Sequence, residues 1–71
     1  MTEYRLAETP YNPYEPDNVN SWNKVLRLYS YVGFKPLSFE ILAAEVNDHP
    51  HPGGGEGFIK WHISMGRLIE V

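Results

Sequence analysis

The chain has 71 residues, a net charge of −3 and no cysteine. This length allows one domain with a thin core, and the lack of cysteine excludes disulfide bonds and thiolate metal sites. The acidic balance argues against tight nonspecific nucleic-acid binding, which depends on lysine and arginine. The sequence contains neither a signal-peptide pattern nor a stretch of membrane-spanning length, so we expect a cytoplasmic protein without membrane contact.

Residues 1–18 are predicted to form an extended arm that is rich in tyrosine and proline. The segment Thr2 to Glu8 alternates weakly, as a short strand does. Prolines then recur every three residues and leave Tyr11 and Tyr14 on another edge, as in polyproline II. Two interpretations remain: a ligand for an aromatic groove, or an arm that lays both tyrosines across the domain. Many proline-rich ligands carry basic residues beside their prolines, and none flanks these prolines, so the second interpretation is favoured.

The remaining residues, 19–71, are predicted to form a three-helix domain. The first helix should run from about Asn20 to Val32, and the residues around its start all offer N-cap side chains, namely Asp17, Asn18, Asn20 and Ser21. Its apolar residues follow helical spacing and form one stripe, Trp22, Val25, Leu26, Tyr29 and Val32. Gly33 is a typical left-handed stop after the last turn.

A second helix is predicted to follow Ser38, which is a favourable N-cap residue. Leu37 and Leu42 have the spacing of a hydrophobic staple around that cap. The inward-facing stripe is formed by Phe39, Leu42, Ala43 and Val46. Ile41 falls outside this stripe, so it either meets another element or is exposed.

The third helix is predicted from about Glu56 to Met65, with Gly66 as its stop. Its apolar side carries Phe58, Ile59, His62 and Ile63, which makes His62 a core histidine.

Arg67 to Val71 has strand-forming residues, and an isolated strand is unstable. The nearest candidate partner is Tyr4–Leu6. The predicted fold is therefore mainly α within the α+β class, with a small two-stranded sheet that pairs the termini.

This order of elements resembles a winged helix-turn-helix domain over about Val19 to Val71. The stretches PLSFEILAAEV and GRLIEV carry the resemblance, because in that family the third helix often leads through a glycine into the first wing strand. The chain departs from the family in its long connection from Asn47 to Gly55, where about three or four residues are usual. We expect no wing hairpin after the last strand, so the resemblance implies DNA contact through the third helix and not through a wing.

The polar side of the third helix is the candidate nucleic-acid surface. It carries Lys60, Trp61 and Ser64, with Arg67 just beyond the helix. Lys60 and Arg67 would meet phosphates or guanine edges, and Ser64 could bond either. The competing interpretation is a solvated helix face with Trp61 at its margin, since two cations are few for a DNA-binding helix.

The histidines between the second and third helices raise the question of a metal site. Asp48, His49 and His51 could bind zinc, nickel or copper. Two imidazoles and one carboxylate fall short of the roughly four ligands that zinc requires. We therefore predict neither a metal nor another cofactor.

The glycine-rich run that follows could hold an anion, because bare N–H groups at a helix start attract negative charge. However, Glu56 occupies the start of the helix and would repel an anion. No lysine followed by serine or threonine completes a phosphate-binding loop. A flexible connection is the favoured interpretation of residues 53–57.

Two functions fit these observations, and neither is enzymatic, because no nucleophile signature or paired carboxylates in an apolar context are present. The first is a small DNA-associated regulator, for which a homodimer is plausible because one small domain reads few base pairs. The alternative is a protein-interaction module, an adaptor or inhibitor of a larger complex, whose length suits a phage or mobile-element product. Its candidate contacts are Tyr11, Tyr14, Ile41 and Trp61.

Overall fold

The computed structural model describes residues 2–8, 16–50 and 52–71, and its fold belongs to the α+β class. The elements in chain order are β1 (Glu3–Leu6), α1 (Pro16–Tyr31), β2 (Leu37–Ser38), α2 (Phe39–Glu45), α3 (Gly54–Ser64) and β3 (Leu68–Glu70). Tyr11, Tyr14 and His51 lie outside the described residues. Within the described ranges, no helix combines the length and apolar character needed to cross a bilayer.

The predicted pairing of the first and last segments is confirmed. β1 pairs antiparallel with β3, with Tyr4 opposite Glu70 and Leu6 opposite Leu68. The sheet also has a third strand beyond the predicted two, because β2 pairs with the other edge of β1. β2 is only two residues long, so no alternation of polar and apolar residues could reveal it.

Helix α1 begins earlier than the sequence pattern predicts. Its first residue is Pro16, which we had assigned to the arm, and not Asn20. Proline suits the first turn because its fixed φ is already helical and the N–H that it lacks would have no partner there. Ser21 therefore lies inside the helix, where it cannot act as the cap.

The end of α1 follows the prediction. Gly33 has a positive φ of 69°, and Phe34 continues in the left-handed region with a φ of 62°. The Phe34 N–H donates to the Tyr29 carbonyl at 2.8 Å, which satisfies one of the last carbonyls of the helix. The left-handed stop at Gly33 is therefore confirmed.

The core forms where the three helices meet the sheet. Its buried apolar residues are Trp22, Val25, Tyr29, Leu37, Leu42, Ala43, Val46, Phe58, Ile59 and Leu68. The predicted stripes supply most of this set. Leu26 is the exception on α1, since it is exposed although the helical pattern places it on the stripe.

Ser38 caps α2 as predicted, because its hydroxyl accepts the Ile41 N–H at 3.3 Å.

Tyr29 joins α1 to the sheet through a buried hydroxyl. It donates to the Tyr4 carbonyl at 2.7 Å, and burial raises the pKa of Tyr29 to about 12, so the donor keeps its proton. We expect Tyr29→Phe to lower the free energy of unfolding by about 1 kcal/mol, since the carbonyl loses its donor. Urea denaturation measures this, with Tyr31→Phe as the exposed control. Equal stability of the two variants would show that the hydroxyl contributes nothing.

Candidate functional site

Helix α3 presents one side to the core and the other to solvent. Its buried residues are Gly55, Phe58, Ile59 and His62, and Ile63 is half-buried. The apolar side predicted from helical spacing is thus confirmed. Because α3 packs against α2 through that side, the residues on its other side are held in a fixed orientation on the surface.

The glycines at the start of α3 lie in or directly before the helix, and Gly55 packs against α2, so the prediction of a flexible connection over residues 53–57 is wrong. Gly53 and Gly54 adopt positive φ values of 91° and 56°, so the helix starts at Gly54 and not at Glu56. Gly55 is buried, and a Cβ there would lie 2.4 Å from the Ala43 carbonyl oxygen. The glycines therefore bring the backbone of α3 directly against the end of α2.

The most apolar exposed feature of α3 is at its carboxyl end. Trp61 is 46% exposed and Met65 is 53% exposed, and the two residues are one helical turn apart. The Arg67 guanidinium carbon lies 5.5 Å from the centroid of the Trp61 ring, within cation–π distance. We call Trp61, Met65 and Arg67 the Trp61 surface.

The other predicted nucleic-acid contacts lie on α3 or just after it, and their environments differ. Lys60 and Ser64 are exposed, whereas Arg67 is only partly exposed. The Ser64 hydroxyl donates to the Trp61 carbonyl at 2.7 Å, so its proton is already used within the helix. Ile41 on α2 is a predicted partner contact, and the sequence left open whether it meets another element or is exposed. The structure shows exposure, since the residue is 50% exposed.

Behind the Trp61 surface, His62 lies in a cluster of aromatic rings. Its ring centroid is 4.5 Å from that of Trp22, 4.3 Å from that of Phe58 and 4.9 Å from that of Trp61. Burial, together with the charges of Arg67 and His49, lowers the pKa of His62 to about 3. The imidazole is therefore neutral at physiological pH, and it stacks on Trp22 and meets Trp61 in a T-shaped contact.

The connection between α2 and α3 is fixed to α1 by two polar contacts that the sequence did not reveal. His49 is buried, and its Nδ1 lies 2.7 Å from the Ser21 hydroxyl. Lys24 donates to both carboxylate oxygens of Asp48 at 2.8 and 2.7 Å. The hydrogen bond and charge of Lys24 hold the pKa of Asp48 below its usual value. Both contacts join residues more than twenty positions apart, so no local pattern indicates them.

These contacts bear on the candidate metal ligands. Asp48 is engaged by an ammonium group, and His49 faces Ser21 and the Phe58 ring, whose centroid is 4.5 Å away. In the part of the chain that the structure describes, no three histidine, cysteine or carboxylate side chains converge as metal ligands would. Asp48 and His49 therefore anchor the connection that leads into α3.

Neither models of protein families, nor curated proteins, nor solved structures match this chain. The winged-helix resemblance therefore stays a prediction.

Proposed function

We propose that this protein is a non-enzymatic protein-interaction module that binds its partner through the Trp61 surface. The exposure of Trp61 on α3 and of Met65, one helical turn later at the C-cap of the helix, carries this proposal. Protein interfaces are enriched in tryptophan, methionine and arginine, and tryptophan is a frequent energetic anchor. All three residue types meet on this surface.

The position of Arg67 supports the same conclusion. Its guanidinium lies over the Trp61 ring on one side, while the ring edge contacts His62 on another. These contacts restrict the rotamers of Trp61 before any partner arrives, so less side-chain entropy is lost on binding. Arg67 also gives the surface a positive rim on a chain with a net charge of −3, which favours a partner with an acidic edge.

DNA association is the second candidate, through Lys60, Ser64 and Arg67. The exposed Lys60 and the predicted winged-helix order of elements favour it. The Ser64 hydroxyl bonds its own helix and Arg67 stacks on Trp61, so fewer donors point away from the protein than the sequence suggests. We rank DNA association below protein binding for this reason. A cytoplasmic location also stays a prediction from the sequence.

Affinity capture with wild-type and variant protein tests the proposal. We expect Trp61→Ala to weaken binding of the captured partner at least roughly 30-fold, the loss typical of an interface anchor. Tyr31→Ala is the matched control, because Tyr31 is an exposed aromatic residue at the far end of α1. Melting curves of both variants confirm that the fold is kept.

Retention of the same partners by Trp61→Ala would contradict the proposal. Two other results would instead support DNA association. One is release of the captured material by nuclease treatment, and the other is a Lys60→Glu variant that fails to shift DNA at low salt. The two candidates are therefore separated by variants on the same helix.

A further inference from the structure

A groove runs between α2 and α3 on the side of α3 that faces Phe39. One part has a volume of about 470 Å³, with Ala43 and Gly55 in its floor and Glu40 and Glu56 at its rim. A second part has a volume of about 320 Å³ and is lined by Tyr4, Phe39, Lys60 and Ile63. Phe39 lines both parts, and we call the two parts together the α2–α3 groove.

The dimensions of the groove fit a short stretch of polypeptide. Its lining residues on α3 extend from Gly53, just before the helix, to Ile63. Ten helical residues span about 15 Å at a rise of 1.5 Å per residue. An extended chain covers the same distance with about five residues.

The two parts of the groove differ in charge. Glu40 and Glu56 are exposed carboxylates at one end. At the other end, half-buried Tyr4, Phe39 and Ile63 form apolar walls beside the exposed ammonium of Lys60. A complementary ligand has a cationic group at the first end, an apolar group against Phe39 and an anionic group near Lys60.

We propose that the α2–α3 groove binds an extended peptide segment with a basic residue, a central aromatic or aliphatic residue and an acidic residue, in that order along the groove. The site is separate from the Trp61 surface and gives the protein a second interface. A nucleic-acid strand does not fit this pattern, because Glu40 and Glu56 would repel its phosphates.

A blocked pentapeptide with lysine first, phenylalanine third, glutamate fifth and glycine between them is the probe. It is used together with its reversed sequence, and with a neutral version that has glutamine at both ends. Titration is followed by NMR shifts of Tyr4, Phe39 and Ile63. We expect one of the two charged peptides to shift these signals and to bind at least about fivefold more tightly than the neutral one, as two exposed ion pairs allow.

Variants of the groove rim make the test specific. Glu40→Lys combined with Glu56→Lys should remove the preference for the charged peptide. Both residues are exposed in the first turns of α2 and α3, where lysine opposes the helix dipole, so melting curves verify that the variant is folded. Glu45→Lys is the control, because Glu45 is exposed on α2 but does not line the groove. Trp61→Ala should leave peptide binding unchanged, which separates this site from the Trp61 surface.

Three results would overturn the proposal. They are unchanged signals at millimolar peptide, equal binding of the neutral peptide, and an effect of Glu45→Lys as large as that of the rim variant. None of these outcomes affects the proposed role of the Trp61 surface.

Discussion

Lowering the pH from about 7 to about 4 is expected to reduce the free energy of unfolding by roughly 3 kcal/mol through His62 alone. In the unfolded chain this imidazole takes up a proton near its ordinary pKa of 6.5, whereas in the folded protein its pKa is about 3. Between these values the unfolded state binds more protons, so acid favours unfolding. The contribution is complete above about pH 6.5 and is lost as the pH falls towards 3.

Urea denaturation at several pH values measures this effect, and His62→Leu should remove most of the slope. Leucine fills a similar volume without a titrating group, although the loss of ring stacking should lower stability at neutral pH by about 1 kcal/mol. Measurements stay above pH 4 to limit the contribution of Asp48, whose pKa Lys24 holds below its usual value. An unchanged slope in His62→Leu would assign the acid sensitivity to another group.

The sequence predicts those features whose causes are local. Trp22, Val25 and Tyr29 are buried as their spacing indicates, because a helix repeats its faces every 3.6 residues. Ser38 and Gly33 act as cap and stop because their own backbone and side chain suffice for those roles. The exposure of Trp61 follows in the same way from its position opposite the core side of α3.

Features that depend on distant partners are not visible in the sequence. The Ser21–His49 contact and the cation–π contact of Arg67 with Trp61 exist only once the chain has folded. The latter also requires the turn at Gly66, whose φ is 80°. The glycine run shows the limit most clearly, since glycine suits both a flexible connection and a close approach of two backbones. Only the position of the Ala43 carbonyl decides between them.

Replacing Gly55 with alanine is expected to destabilise the protein by about 3 kcal/mol or more, at the upper end of overpacking effects. The added Cβ would lie 2.4 Å from the Ala43 carbonyl oxygen and 2.8 Å from the Val46 carbonyl oxygen. Both neighbours are backbone atoms near the end of α2, so no side-chain rotation can relieve the overlap. A chain of this length has a total stability of roughly 4–10 kcal/mol, and the variant should lose a large part of it.

Gly57→Ala is the matched control on the same helix. A Cβ at Gly57 meets only the Pro52 carbonyl oxygen at 3.5 Å, which is ordinary contact. Alanine inside a helix should therefore raise the free energy of unfolding by about 0.5–1 kcal/mol, opposite in sign to Gly55→Ala. Urea denaturation followed by circular dichroism measures the free energy of unfolding of the Gly55→Ala and Gly57→Ala variants. Equal stabilities would mean that α2 and α3 can separate at little cost, and the α2–α3 groove would then lack the rigid floor on which its peptide is proposed to lie.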